Sequence, residues 1–215
     1  MAAPRRRTSD TRAWPPRERI LVEASRLFAT RGFLGTSTRD IANAVGIQQP
    51  SMYSHFASKQ AIAEELLRRD LTAGTDAMQR IAREGGGPGV ELYRYLIWEV
   101  RHDLESPFDL RSLYFSEILQ LPEFAEGRRL LKKYDSLVVS FLKRGIASGE
   151  FVDVDPSFAK RAIDAVILEV IRSAALEHRV SSDEPDLAAS FVLRALLAKP
   201  SRLAAIRTAV AKLDA

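Results

Sequence analysis

At 215 residues, 46% hydrophobic and 28% charged, the chain has the composition of an ordinary globular protein long enough to bury a sizeable core. The absence of cysteine excludes disulfides and thiolate chemistry, and uncharged apolar runs such as Ala165–Leu168, between Asp164 and Glu169, are too short to span a bilayer. The net charge of +4 is unevenly spread: residues 1–60 hold ten Lys/Arg against four Asp/Glu, a balance of +6 that leaves −2 for residues 61–215, so attraction for a polyanion belongs to the first quarter of the chain.

Residues 1–13 are polar and basic without apolar periodicity and are expected to be a disordered arm. Arg5, Arg6 and Arg7 suit either a minor-groove or phosphate contact or a solvated tail. From Pro15-Pro16 to Thr30, Ile20, Ala24, Leu27 and Phe28 recur at helical spacing; Gly32 ends that helix, and Phe33 can fold back onto its last turn.

Ser37–Lys59 then reads as two short helices joined by a tight turn. Ser37 is a good N-cap, and Asp40 three residues on completes a capping box. Ile41, Ala42 and Val45 share one face, Gly46 gives the turn its backbone freedom, and Met52 and Phe56 continue the apolar pattern beyond Pro50. This is the pattern of a helix-turn-helix, whose second helix enters the DNA major groove. Thr38, Arg39, Gln49, Ser51, Tyr53, Ser54, His55 and Lys59 lie off the apolar face. Arginine suits guanine, glutamine suits adenine, and hydroxyls and lysine suit phosphates.

Positions 13–62, AWPPRERILVEASRLFATRGFLGTSTRDIANAVGIQQPSMYSHFASKQAI, resemble the TetR family of transcriptional regulators over about a quarter of the chain. The segment Gln49-Pro50-Ser51-Met52-Tyr53-Ser54-His55 is similar to the recognition helix of the tetracycline repressor. The resemblance implies that Arg39 and Gln49 read bases and that Pro50 and Ser51 make apolar or sugar contacts. It implies that Thr38, Tyr53, His55 and Lys59 hold phosphates, while Ser54 departs from the bulky aromatic of that repressor, so the operator can differ.

Ser58 is expected to cap a fourth helix, about 58–84, ending at Gly85-Gly86-Gly87-Pro88-Gly89. No Lys-Ser/Thr follows these glycines, so they read as a helix–helix connection rather than a phosphate loop. Further helices are expected over Val90–Leu104, around Leu110–Leu119, Glu123–Ser148, from Asp155-Pro156 to about His178, from Pro185 to about Ala198, and over Ser201–Leu213. With no strand-like alternation, the fold class is all-α: an N-terminal three-helix helix-turn-helix DNA-binding domain at 14–60 and a larger helical-bundle domain at 61–215 for ligand binding and dimerisation.

His55, His102 and His178 are too scattered for a metal motif, and the paired acids Glu64-Glu65 look like a solvated helix face. Neither an enzyme nor a cofactor is expected. An effector pocket for an apolar or aromatic small molecule has Tyr93, Trp98, His102, Tyr114, Phe115, Tyr134, Phe141 and Glu169 as candidate lining. The helices near 157–178 and 186–198 carry apolar residues on more than one face, which asks for a second subunit; Ile163, Val166, Val170, Ala174, Val192 and Leu196 are the expected interface of a homodimer.

The reading is a cytoplasmic, ligand-responsive repressor released from a palindromic DNA operator by its effector, with no membrane partner. An effector-independent DNA-binding regulator is the alternative. An enzyme carrying a helix-turn-helix is a more distant one.

Overall fold

The computed structural model describes residues 13–114, 117–177 and 181–213. The arginines expected to form a basic arm, together with Phe115 and His178, lie outside them. The described residues are helical apart from turns and one isolated antiparallel bridge, Phe151 to Leu197. None of their helices is long and apolar enough to cross a membrane.

Two compact units form, and their division cuts across helices. The first takes residues 13–73 and Ser106–Lys132, and the second takes Gly74–Glu105 with the described part of Lys133–Ala215. The boundary expected after residue 60 stands at the start of the linking helix, whereas the units part after Ala73 within that same helix, and a segment distant in sequence joins the first unit.

In that unit α1 spans Pro16–Arg31, with proline in its first turn, where a missing N–H costs nothing. Gly32 closes it at φ +75°, its N–H bonded to the Phe28 carbonyl. The Phe33 ring returns to within 5.3 Å of Phe28 and meets Phe124 edge-on at 5.4 Å. Next come α2 (Thr38–Val45), α3 (Gln49–Tyr53) and the start of α4 (Lys59–Glu84). Short helix α6 (Arg111–Tyr114), 3-10 turns at Glu117–Gln120 and Pro122–Phe124, and the first turns of α7 (Ala125–Ala147) complete it. Its core is built from Ile20, Leu21, Phe28, Ile41, Met52, Ile62 and Leu66, all fully buried.

The second unit is organised round α5 (Pro88–Glu105), against which α8 (Pro156–Glu177), α9 (Glu184–Leu196) and α10 (Leu203–Leu213) pack. Gly85, Gly86 and Gly87 all hold positive φ between α4 and α5, a left-handed run that only glycine tolerates cheaply. Glu91, almost fully buried in α5, is neutralised by Arg144 of α7. At Gly145 the Phe151 ring occupies the space of a missing Cβ, which lets the chain fold back after α7.

Candidate nucleic-acid interface

The corner between α2 and α3 follows from local chemistry. Ser37 Oγ accepts the Asp40 N–H at 3.1 Å, and Asp40 Oδ2 accepts the Ser37 N–H at 2.9 Å, satisfying two helix-end donors reciprocally. The Ser37 hydroxyl, which donates to Asp40 Oδ2 at 2.5 Å, and after it the Ser37 N–H hold the Asp40 carboxyl below its ordinary pKa. Gly46 takes the left-handed conformation (φ +75°, ψ 36°), and the Ile47 N–H then bonds back to Ala42 at 3.0 Å. α3 is only five residues long and stops at Tyr53, so Phe56 lies in the following turn, still buried. Ser54 opens that turn, its hydroxyl donating to the Ser51 carbonyl at 2.7 Å.

The expected reading residues lie on this corner. Arg39, Pro50, Ser51, Tyr53 and Ser54 are exposed, while Thr38, Gln49 and His55 are half-buried. Arg39 makes no hydrogen bond or ion pair among the described residues. Gln49 Nε2 donates to Thr38 Oγ1 at 3.1 Å and reaches Tyr53 Oη at 3.5 Å; the two hydroxyls are 3.3 Å apart. Their bonds to Thr38 and Gln49 lower the pKa of the Tyr53 phenol.

Lys59 is placed differently from a free phosphate clamp. Its ammonium donates to the Phe33 and Thr36 carbonyls at 2.6 and 2.7 Å and sits 4.3 Å from the centre of the Phe33 ring, and desolvation lowers its pKa. It pins the loop between α1 and α2, with one N–H left over.

A second set of side chains, absent from the sequence reading, fixes α1 against α4. Arg69 holds Glu18 with two hydrogen bonds, at 2.7 and 2.9 Å, and Glu65 with a third at 2.9 Å. Arg68 and Arg17 add bonds to Glu65 at 2.8 and 3.1 Å, and the Arg17 guanidinium also covers the Phe56 ring. Burial opposes the charge on Glu65, yet the three arginines hold its carboxyl down to about 2. This corrects the expectation of a solvated acidic face at Glu64-Glu65. The spacing of Glu65 with Arg68 and Arg69 was visible as helical ion pairs, but nothing local pointed to Glu18. Arg19 of α1 also donates to the Val45 carbonyl, closing the end of α2.

The candidate pocket residues are not one group. Tyr114 belongs to the first unit, its hydroxyl donating to Asp70 of α4 at 2.6 Å. Glu169 points outward from α8 and pairs with Arg172, so it is no internal anchor. In the second unit Tyr95 and Tyr134 join hydroxyls at 2.7 Å, and full burial raises both phenols well above their ordinary pKa. Tyr93 donates to Asp186 of α9, Phe141 is buried beside Arg144, and half-buried Trp98 stacks on His102 at 4.7 Å.

The expected interface residues differ in burial. Ile163, Val192 and Leu196 are buried within their own unit, and Val166, Val170 and Ala174 are half-covered. The large apolar side chains left open on these helices are Phe158, Leu176, Leu187 and Phe191, each more than half exposed, with Ala162 and Ala165 also exposed.

Residues 20–66 match the family model described as bacterial regulatory proteins, tetR family. Over 147 residues the chain is 32% identical to the HTH-type transcriptional repressor KstR2 of Mycolicibacterium smegmatis, covering 65% of this chain and 70% of that protein. The crystal structure of Mycobacterium smegmatis AmtR superposes with a TM-score of 0.78 at 27% identity, covering 98% of both chains. The ketosteroid transcriptional regulator KstR2 of Mycobacterium tuberculosis shares the fold, with a TM-score of 0.69 at 23% identity over 87% of this chain and 97% of that one.

Proposed function

The chain belongs to the tetR family of bacterial regulatory proteins, a DNA-binding transcriptional regulator, and on that premise we propose that it is a homodimeric, cytoplasmic repressor that leaves a palindromic operator when a small molecule binds. The observation that carries this reading is the α2–α3 corner, where a capped helix and a left-handed glycine turn leave Arg39, Pro50 and Ser51 exposed on a basic segment. Arg39 and Gln49 read bases. Pro50 and Ser51 lie against sugar and thymine methyl groups, and Ser54, His55 and the remaining Lys59 N–H reach phosphates. In this assignment residues 14–60 read DNA and 61–215 serve effector and partner. The repressor sign follows the relative KstR2.

The dimer forms through the exposed side of α8 and α9, where Phe158, Leu187 and Phe191 leave apolar area that a second copy would cover as a four-helix interface. The effector is an apolar or aromatic molecule taken up among Tyr93, Trp98, His102, Tyr134 and Phe141. Helix α4 runs unbroken from Lys59 to Glu84, so a displacement of its C-terminal half reaches the recognition helix. Half-sites on one face of B-DNA lie about 34–36 Å apart, and a modest change in reader spacing breaks simultaneous contact. The effector must favour the DNA-incompetent state. The test is selection of bound sequences from random duplex DNA, followed by titration of the complex with apolar and aromatic compounds. An inverted repeat released by one of them is the expected result. A complex that none dissociates would leave the effector-independent regulator.

A further inference from the structure

Gln49 is presented with its amide nitrogen already engaged. Nε2 donates to Thr38 Oγ1 at 3.1 Å and reaches Tyr53 Oη at 3.5 Å, while Oε1 makes no hydrogen bond among the described residues. A primary amide has two N–H donors and one carbonyl acceptor; Thr38 Oγ1 engages the nitrogen, Tyr53 Oη stands beside it on the same side at the outer limit of a hydrogen bond, and the acceptor is left. Thr38 opens α2 and Tyr53 ends α3, so the turn at Gly46 fixes the positions of both hydroxyls relative to Gln49. A glutamine with both ends available reads adenine twice, at N6–H and N7. One that has only Oε1 to offer reads a donor, and adenine N6 and cytosine N4 both supply one in the major groove. Guanine O6 and thymine O4 are acceptors and oppose it.

We propose that Thr38 and Tyr53 set the base specificity of this regulator by occupying the Gln49 amide nitrogen, so that Gln49 accepts one hydrogen bond from an amino-bearing base, adenine or cytosine. This rests on Gln49 reading a base, as proposed above. The two hydroxyls, which the family resemblance assigns to phosphates, act through Gln49 as positioning residues. The interaction needs no change in the corner on binding. It also gives Tyr53, exposed at 47%, a reason to direct its phenol toward Thr38 of α2.

The experiment uses the full chain and an operator selected from random duplex DNA. The position whose preference vanishes in Gln49→Ala is the base pair that Gln49 faces. Four duplexes differing only there are compared by fluorescence anisotropy at fixed salt. The wild-type chain should bind adenine and cytosine within about threefold of each other, and guanine and thymine at least about tenfold more weakly. Thr38→Val keeps the β-branched shape and Tyr53→Phe keeps the ring; the double variant should favour adenine over cytosine by about tenfold, because the amide nitrogen can then reach N7. This ratio is insensitive to a uniform loss of backbone contacts, and circular dichroism verifies the fold. Tyr53→Phe alone, at an exposed site, should move the ratio in the same direction. A wild-type chain that already rejects cytosine as strongly as guanine, or that prefers thymine or guanine, overturns the proposal, as does a ratio unmoved in the double variant. If Gln49→Ala leaves every preference intact, base reading by Gln49 falls as well, which separates the two failures.

Discussion

The corner between α2 and α3 is fixed residue by residue, whereas the outer face of α8 and α9 is fixed by what covers the opposite side of each helix. In the corner each position has one local reason: Ser37 and Asp40 cap, Gly46 turns, and the Ala42 carbonyl takes the Ile47 N–H that closes the turn. On α8 and α9 many positions are apolar, and only packing against α5 decides which face is core. Ile163, Val192 and Leu196 face inward, while Phe158, Leu187 and Phe191 remain outside. A local rule survives the absence of tertiary knowledge, and a choice between two apolar faces does not.

The largest expected effect tests that choice directly. Val192 is 5% exposed and its neighbour Phe191 is 65% exposed. Val192→Glu should lose at least about 4 kcal/mol of stability by burying a carboxylate without a partner. Phe191→Glu should change the intrinsic stability of the folded subunit by no more than about 0.5 kcal/mol yet turn the dimer into a monomer, so that it loses only the concentration-dependent part of the wild-type melting temperature. Thermal melting with sedimentation velocity reads both. Equal destabilisation by the two would erase the distinction between the faces.

Acid should act next most strongly, on the contact of α1 with α4 in the unit that carries the corner. Glu65 has a folded pKa of about 2 against an ordinary 4.5, so the unfolded chain takes up the proton first as pH falls. The stabilisation it contributes is complete above 4.5 and is lost as pH falls through 2. It amounts to at most about 3 kcal/mol, less after solvent screening of its arginine partners. Urea melts from about pH 6 to about pH 2.5 should show a shallower acid loss for Glu65→Gln than for the wild-type chain. Parallel curves would mean that the arginines do not hold this carboxyl.

Gly46→Val should cost about 1–2 kcal/mol, since φ +75° is a conformation that β-branched residues adopt only under strain. No heavy atom stands near its Cβ, so backbone strain alone is measured. Ser37→Ala should remove about 1 kcal/mol through the lost cap. Both should weaken DNA binding more than they lower the melting temperature, because they loosen the angle at which α3 is presented. A loss of affinity no larger than the loss of stability explains would separate the corner's geometry from its reading.

Much of the first unit was legible because its signals are short-ranged. Pro16, Gly32, Ser37, Gly46 and Ser58 each mark a helix end, and the helix bounds follow them. The Glu18–Arg69 pair was not legible, since 51 residues separate its members. Lys59 was legible as a cation at the interface, but its bonds to the Phe33 and Thr36 carbonyls depend on how the loop folds over α4. The pocket set mixed residues of two units for a related reason: aromatic content locates cores without saying which core. Tyr114 and Tyr134 look alike in sequence, yet they bond Asp70 in one unit and Tyr95 in the other.

The most direct test of the account compares sequences selected from random duplex DNA by the wild-type chain and by Arg39→Ala, with affinity followed against salt. The wild-type chain should select an inverted repeat whose half-sites lie about 34–36 Å apart along one face of the duplex. Arg39→Ala should relax one position in each half-site, at about 1–3 kcal/mol, and leave the other positions unchanged. An unchanged motif with uniformly weaker binding, or no motif at all, would contradict base reading by the α2–α3 corner.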